Sequence, residues 1–551
     1  MSRGFGKVIG GWVVSVCLGC STSSIGEEGT GGSGGSAPSS GGTGASTSSS
    51  GGAGNASSGG SAGSPSATGG TGDGGTPGAG GAGGSAGDAG TAGAGMGASG
   101  AGGAAGASGA AGAGGAAGAG GASRAWSDAE RVQTESLVAL LPDVAIADGT
   151  AVFVWNDSGG VKARRYDLDG ETWSEPATID DRARTLNARV GVDAAGRFIA
   201  VYAHHREDPQ IEGAWASRSL DGIHWSAPVL LHAGQACCAV ELAVAADGTA
   251  RAVWEEYASN QTSLWTAHFD GAAWSTAVLA AAPATGELTP EPRRPRLVSD
   301  GQGNGALVWV QPAEGESVDS VWAKSYSGPD LAGAATPLDV HDDECEAPAV
   351  DMNAAGQVIA VWNQPGTSSD EIWANRFVPN TGWVGAEQVA RDGEHMHEPA
   401  IAVDASGNAL LVYSYRENGH YGLVSLRFQS ATGWTDRAPL EQSNASPDRI
   451  GDQLYPDIAI GADGDAVVVW ASFSDELTSG VVSRTLSAAS GSWAPVTVLG
   501  RHDHLQAFVP RVALDADGRG AATWYFRQGD ADGDIMGDEA HVEVPYAAFY
   551  R

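Results

Sequence analysis

Residues 399–413 read PAIAVDASGNALLVY, two short apolar runs around a tight polar turn. Apolar residues alternate with small or polar ones, which is the period of β-strands and not of helices. Gly407 supplies a backbone conformation that a hairpin turn needs and that other residues adopt only at a cost. The stretch therefore predicts a β-hairpin.

Near-copies of this hairpin recur along the chain, aligned on the turn glycine and on an aromatic residue six positions later. The aromatic residues lie 47 to 57 residues apart. A period near 50 with several strands per unit is typical of β-propeller blades. The eight pairs are Gly149/Trp155, Gly196/Tyr202, Gly248/Trp254, Gly303/Trp309, Gly356/Trp362, Gly407/Tyr413, Gly464/Trp470 and Gly518/Trp524.

Each unit predicts four strands, here called A to D, with the quoted hairpin as strands A and B. The last unit stops after its C strand, at Arg551, and Trp126 stands in a D-strand position before the first unit. Residues 126–141 are therefore expected to complete the last blade, which removes exposed strand edges. The sequence predicts an all-β fold, a β-propeller of eight four-stranded blades over 124–551. Seven blades are the alternative if one unit is displaced.

Residues 1–20 are expected to be a targeting segment. Arg3 and Lys7 precede the apolar run VIGGWVVSVCLG, which is too short to span a bilayer. The run ends in CLGC, which resembles the bacterial lipoprotein signal, although Cys17 stands where leucine is common. The resemblance implies lipidation of Cys20 and an exported protein on the outer membrane or cell surface. Ordinary secretion is the alternative.

Residues 21–123 are almost wholly Gly, Ala, Ser and Thr. No packed core forms from this composition, so a disordered linker is predicted. A flexible coil of that length has a reach of roughly 55 Å. An anchor, a glycine-rich tether and a propeller together resemble many Gram-negative surface lipoproteins.

The net charge of −35, from 65 acidic and 30 basic residues, limits the partners. Nucleic acids and anionic lipids would be repelled, so neither is expected to bind. A polysaccharide or a protein is the expected ligand, membrane contact is expected only through the anchor, and the chain is expected to be a monomer.

Beyond the signal segment the cysteines are Cys237, Cys238 and Cys345. No C-x-x-C pair occurs, which argues against structural zinc. Export favours oxidation, so adjacent Cys237 and Cys238 would form a vicinal disulfide. Free buried thiols are the alternative.

The loops predict which face carries a site. The A–B turns are uniform, whereas the B–C and D–A loops, which share the other face, vary in length and composition. Rigid scaffolds commonly carry function on such loops. Among the D–A loops, Glu344, His395 and His397 would bind a divalent metal at the channel mouth, and a solvated acidic rim is the alternative.

Two B–C loops carry an Arg-Glu pair beside histidine, in units two and six, which face each other across an eight-bladed ring. Paired carboxylates and arginines suit glycoside chemistry or sugar binding. Surface ion pairs are the alternative. No catalytic residue is assigned from this pattern, and the candidates are His205, Arg206, Glu207, Arg416, Glu417 and His420.

An acidic insertion in unit eight reads GDADGDIMGDE, residues 529–539. Its aspartates alternate with small residues, so several oxygens would converge on calcium, the one cofactor considered. The full twelve-residue loop with a closing glutamate is absent, and a metal-free acidic loop is the alternative. The candidate ligands are Asp530, Asp532, Asp534 and Asp538.

The C–D turns DLDGETW, RSLDGIHW and FDGAAW resemble degenerate forms of the Asp-box (bacterial neuraminidase) repeat of sialidase-like propellers. The resemblance implies a propeller, with the Asp-box in a structural role. Arg189, Arg296 and Arg511 would correspond to the arginines with which sialidases hold a carboxylate. Acidic residues alternate with them around the ring, so ion pairs between blades are the preferred interpretation, and no tyrosine–glutamate nucleophile pair is present.

The leading hypothesis is a non-enzymatic, surface-tethered propeller that binds a polysaccharide or protein through its B–C/D–A face. The rival is an extracellular glycan-degrading enzyme, a glycoside hydrolase or polysaccharide lyase, with its site on that face. A passive envelope scaffold is the third possibility. Exposed aromatic residues at the rim would favour binding, and a facing pair of carboxyl groups would favour the enzyme.

Overall fold

The structure is a computed structural model and is all-β in the part of the chain that it describes. No helix among these residues is long and apolar enough to cross a membrane. The predicted signal segment and linker lie outside the described residues. The structure describes residues 124–133, 139–183, 185–204, 212–259, 261–283, 291–314, 316–331, 333–340, 345–365, 370–391, 395–417, 420–435, 437–441, 452–473, 478–503, 505–528 and 543–551.

The strands form eight small antiparallel sheets, numbered here as blades 1 to 8 in chain order. Strand β1 (Glu130–Arg131) precedes them. Blade 1 contains β2 (Ala139–Ala147), β3 (Thr150–Asp157), β4 (Gly160–Asp167), β5 (Thr172–Trp173) and β6 (Ala177–Asp180). Blade 2 contains β7 (Thr185–Val192), β8 (Phe198–His204), β9 (Gly213–Ser219) and β10 (Val229–Ala233). Blade 3 contains β11 (Ala236–Val244), β12 (Ala250–Ala258), β13 (Gln261–Phe269) and β14 (Val278–Ala281). Blade 4 contains β15 (Arg293–Ser299), β16 (Asn304–Pro312), β17 (Asp319–Ser327), β18 (Asp330–Leu331) and β19 (Thr336–Pro337).

The second half of the ring repeats the pattern. Blade 5 contains β20 (Glu346–Met352), β21 (Val358–Pro365), β22 (Asp370–Val378), β23 (Gly382–Trp383) and β24 (Glu387–Arg391). Blade 6 contains β25 (Met396–Val403), β26 (Ala409–Glu417), β27 (His420–Gln429), β28 (Gly433–Trp434) and β29 (Ala438–Glu441). Blade 7 contains β30 (Gln453–Ile460), β31 (Ala466–Phe473), β32 (Thr478–Ser487), β33 (Ser492–Trp493) and β34 (Thr497–Asp503). Blade 8 contains β35 (Leu505–Leu514), β36 (Gly520–Gln528) and β37 (Glu543–Tyr550).

The first strand of the described chain closes the ring. Strand β1 pairs with β37, and Trp126 forms a bridge to Tyr550 with ring centroids 5.4 Å apart. The predicted closure of the last blade by the N-terminal segment is confirmed, but the predicted range of 126–141 is too long. Leu140 pairs with Asn156, so residues 139–147 are the A strand of blade 1.

The turn glycines of the repeat have the turn conformation, and its aromatic residues the burial, that their spacing predicts. The eight glycines have φ between 70° and 89°, a region that favours glycine. The eight aromatic side chains are at most 2% exposed. In blade 6, Tyr413, Ile401 and Val403 pack with Ile359 of blade 5 in a shared cluster, so apolar contact between neighbouring blades forms the core.

Every A strand contains a register irregularity near its start, opposite the aromatic residue of its B strand. In seven blades a non-glycine residue there takes φ between 43° and 57°, which is uncommon and costly. Such bulges redirect side chains. Here they lie at the end of the A strand next to the B–C and D–A loops. The residues are Leu141, Asn187, Arg294, Ala347, Glu398, Tyr455 and Val509.

Candidate functional site

Acidic and amide side chains at the channel join neighbouring blades at five of the eight junctions in the described part of the chain. The A strand is the innermost strand of its sheet, so its inner edge leaves backbone N–H groups without a strand partner. Carboxylate or amide oxygens of the preceding blade accept these hydrogen bonds. The donor–acceptor pairs are Val190 N to Asp143 at 2.9 Å, Ala188 N to Asn156 at 2.9 Å, Arg294 N to Glu255 at 2.7 Å, Val403 N to Asp351 at 2.6 Å, Tyr455 N to Glu398 at 2.7 Å and Val512 N to Asp457 at 2.8 Å.

Burial raises the pKa of several of these acids. It raises the pKa of Glu255, Glu398 and Asp457 to about 7 in each case, although hydrogen bonds and neighbouring arginines act in the opposite direction. The pKa of Asp143 is raised for the same reason. Carboxyl groups with a pKa raised by burial therefore lie beside the channel in blades 1, 3, 6 and 7.

The three arginines that follow the bulge lie among these acids. Arg296 Nη1 is 3.4 Å from the Oε1 of Glu241 in the preceding blade. Arg189 and Arg511 also lower the pKa of Glu241, while burial raises it overall. The predicted belt of ion pairs between blades is thus confirmed at the Glu241–Arg296 step.

Aromatic side chains gather at the channel mouth of blades 7 and 8. Phe508 lies at the centre, with ring centroids 6.1 Å from Tyr455, 6.3 Å from Phe473 and 5.6 Å from Tyr525. Tyr525 is 3% exposed, whereas the other three are partly exposed. We call these four residues the mouth aromatic cluster. It offers apolar ring surface at the rim of a rigid channel.

Blade 6 adds polar groups beside the cluster. Glu398 binds the backbone of Tyr455, as described above. The Arg416 guanidinium lies 5.9 Å from the ring centre of Tyr421, and Arg416 N donates to the carbonyl oxygen of His395 at 2.7 Å. Arg416 Nε is buried and finds no hydrogen-bond partner among the residues that the structure describes.

Charged partners hold the histidines of this rim. His395 Nδ1 is 3.3 Å from Asp370 Oδ2, and 49% of the His395 side chain is exposed. His420 Nδ1 is 3.9 Å from Asp452 Oδ1, which also accepts a hydrogen bond from Tyr421 N at 2.9 Å. The rim therefore presents donors and acceptors from blades 5, 6 and 7 together.

Three of the predicted site residues have described side chains, and the structure brings them together. Arg416, His395 and His420 all lie on the rim of blade 6. The remaining candidates lie outside the described residues or have side chains that do. They are His205, Arg206, Glu207, Glu344, His397, Glu417, Asp530, Asp532, Asp534 and Asp538, together with Cys20, Cys237 and Cys238.

The described residues contain no group of three His, Cys, Asp or Glu side chains that could hold a metal ion. Cys345 is fully buried. The mouth aromatic cluster, Glu398 and Tyr421 were not predicted as site residues. In the sequence, only position marks two of them: Glu398 and Tyr455 each directly precede the proline of an A strand.

The fold defines this chain as an eight-bladed β-propeller closed by its N-terminal strand. Its sequence matches no family model and no curated protein. Solved structures that resemble it include an ulvan lyase of polysaccharide lyase family PL25 bound to -[GlcA(1-4)Rha3S]-, with 9% identity, TM-score 0.41, and coverage of 73% of this chain and 90% of that chain. A puromycin hydrolase has 16% identity, TM-score 0.41, and coverage of 71% and 59%. An α-L-arabinofuranosidase from Fusarium graminearum has 11% identity, TM-score 0.36, and coverage of 66% and 92%. At these identities the likeness carries no conclusion about substrate.

Proposed function

We propose that this protein is a surface-tethered propeller that binds a polysaccharide at its channel mouth. The observation that carries the proposal is the mouth aromatic cluster, in which Phe508 contacts both Tyr455 and Phe473 and all three are partly exposed. Aromatic rings contribute large apolar area with few rotatable bonds, and a ligand site typically adds a few placed polar groups. The faces of sugar rings are apolar and their edges are polar, which suits this combination.

The polar groups beside the cluster fit sugar hydroxyls. Arg416 is partly exposed, and its guanidinium, 5.9 Å from the ring centre of Tyr421, offers hydrogen-bond donors to a bound hydroxyl. Tyr421 and His395 add groups that donate or accept hydrogen bonds. The bulges fix Glu398 and Tyr455 on innermost strands, so the site is held by the rigid part of the fold.

The second candidate function is a glycan-degrading enzyme, a glycoside hydrolase or polysaccharide lyase. Glu398 favours it, because a carboxyl group whose pKa is raised by burial to about 7, and which acts electrostatically on Tyr421, has the properties of a general acid or base. The candidates Glu207 and Glu417 would belong to this function. The same geometry also suits binding alone, since Glu398 already bonds to Tyr455 N.

The tether is proposed from the sequence. Lipidation of Cys20 and the Gly/Ala/Ser-rich linker of residues 21–123 would hold the propeller at the outer membrane as a monomeric surface protein. Calcium at Asp530, Asp532, Asp534 and Asp538, and a protein in place of a polysaccharide as the ligand, stay proposals of the same kind.

The test is to incubate the purified full chain with a panel of polysaccharides and to follow two quantities. These are retention of protein on the polymer and release of reducing ends. Retention without release supports the binding function. Release that is abolished by Glu398→Gln supports the enzyme, and the absence of both would overturn the proposal.

A further inference from the structure

A pocket lies away from the channel, between blades 1 and 2 on the same side as the D–A loops. Its volume is about 490 Å³, within the range of small-molecule sites. The D strand of blade 1 ends in it, and the C strand of blade 2 forms the opposite wall. The lining residues are Thr178, Ile179, Asp180, Asp181, Arg182, Trp215 and Pro228.

The buried carboxylate of Asp180 lies in the pocket wall and orients Arg182. The side chain of Asp180 is 1% exposed, and it accepts a hydrogen bond from Tyr202 Oη at 2.8 Å and from Arg182 Nε at 2.8 Å. Its Oδ2 is also 3.2 Å from His204 Nε2 and contacts Arg182 Nη2. These partners satisfy the carboxylate and fix the direction of the guanidinium.

Arg182 is held on its flat side as well as on its edge. Its guanidinium carbon lies 3.7 Å from the ring centre of Trp215, a close cation–π contact. Nε and Nη2 face Asp180, so the two Nη1 hydrogens remain. Tyr202 also forms a side-chain hydrogen bond with this guanidinium, and 24% of the Arg182 side chain is exposed at the pocket.

Charged groups of both signs lie at this pocket. Lys162 Nζ donates to Thr178 Oγ1 of the lining at 3.0 Å. Asp180 lies buried behind the guanidinium, which leaves Asp181 as the exposed carboxylate of the lining. Asp180 balances the charge of Arg182, and Lys162 stands against Asp181, so this pocket is close to neutral on a chain with a net charge of −35.

We infer that this pocket binds an acidic sugar, a saccharide unit that carries a carboxylate or a sulfate. The anionic group would pair with the Nη1 edge of Arg182, because a preorganised planar guanidinium suits such oxyanions. The sugar ring would lie against the Arg182–Trp215 stack, and Lys162 would add attraction that falls with salt. This site is separate from the mouth aromatic cluster and does not depend on the proposed function.

The test is calorimetric titration of the full chain with three disaccharide probes. These are a glucuronate-containing disaccharide, a sulfated disaccharide and neutral cellobiose. We expect the first or the second to bind, and the two arms show which oxyanion is preferred. Arg182→Lys, which keeps the charge but not the planar fork, and Trp215→Ala should each weaken binding at least tenfold. Asp181→Asn should strengthen it a few-fold, because it removes the opposing charge.

Matched variants separate a local effect at this pocket from misfolding. Phe377→Leu, at an aromatic pair near a C–D turn on the opposite face of the ring, should leave the affinity for the acidic probe unchanged. Trp215→Phe, which keeps an aromatic ring in the wall, replaces Trp215→Ala if the thermal midpoint falls. Equal binding of cellobiose, no binding of either acidic probe, or unchanged affinity in Arg182→Lys would each overturn the inference.

Discussion

The carboxylate of Glu398 in blade 6 accepts a hydrogen bond from the backbone N–H of Tyr455 in blade 7, with an N···Oε2 distance of 2.7 Å. Both residues occupy the bulge position of their A strands, with φ of 53° and 57°. One contact thus joins two blades and also fixes two neighbouring groups at the channel mouth. Stability and the candidate site are therefore coupled through the same side chain.

We predict that raising the pH destabilises the ring. Glu398 has an ordinary pKa of 4.5 and a folded pKa of about 7, so between these values the folded state holds more protons than the unfolded state. The free energy of unfolding must then fall as the pH rises through this window. The full effect of one such group is at most about 3 kcal/mol. Urea unfolding between pH 4.5 and 8 measures it.

Glu398→Gln isolates this contribution, because the amide oxygen still accepts the bond from Tyr455 N while the titration is lost. The variant should lose less stability than the wild type between pH 5 and 8. Glu175→Gln, at an exposed carboxylate, is the matched control and should follow the wild-type profile. A Glu398→Gln profile as steep as that of the wild type would contradict the assignment.

Removing an aromatic ring at the mouth should weaken polysaccharide binding. Phe508→Leu keeps an apolar side chain but loses the ring that contacts Tyr455, Phe473 and Tyr525. Loss of one stacking surface of this kind is worth about 1 kcal/mol, roughly a fivefold loss of affinity. Titration with the polymer selected from the panel measures it.

The control for that variant is Phe377→Leu. Phe377 contacts Trp383 near a C–D turn, on the opposite face of the ring, and the change in side chain is the same. Its affinity should equal that of the wild type. Equal losses in both variants would show a general effect on folding and would argue against a site at the mouth.

Removing the contact between Trp126 and Tyr550, which closes the ring, should destabilise the whole propeller. Trp126 packs on Tyr550 and is bridged to it, so Trp126→Ala removes a partly buried ring from the seam that joins the two ends of the fold. We expect a loss of about 2 kcal/mol. Thermal unfolding measures it, and Leu220→Ala, at a side chain that is 72% exposed, should leave the midpoint unchanged.

The buried tryptophans of the B strands should differ in their tolerance of phenylalanine. Trp470 Nε1 donates to Gln453 Oε1 at 2.7 Å, whereas Trp524 Nε1 is buried without a hydrogen-bond partner in the described structure. Trp470→Phe loses a hydrogen bond, but Trp524→Phe removes an unsatisfied donor. Trp524→Phe should therefore cost about 1 kcal/mol less in unfolding free energy. Equal costs would contradict this difference.

The fold could be predicted from the sequence because its determinants are local and repeated. Gly407 and Tyr413 stand six residues apart in a hairpin, and seven other pairs keep that spacing. Trp126 also allowed the closure of the ring to be predicted, because it is a tryptophan in a D-strand position that lies before the first complete unit. The exact end of the closing segment was not predictable, because the pairing of Leu140 with Asn156 depends on register and not on composition.

Of the candidate site, only the face of the propeller on which it lies could be predicted from the sequence. The uniform turns pointed to the opposite side, and Arg416, His395 and His420 were found because charged residues stand out in a loop. Phe508 and Tyr455 gave no such signal, since aromatic residues occur throughout the blades. Their meeting depends on a bulge with positive φ and on the docking of blade 7 against blade 8. Both are properties of the assembled ring.

The seam that closes the ring also determines on which face the described chain enters the propeller. Arg124 contacts Asp463 and the carbonyl oxygen of Asp517, which belong to the A–B turns of blades 7 and 8, and Ala125 N bonds to the carbonyl oxygen of Arg551. The chain thus enters the propeller on the face opposite the mouth.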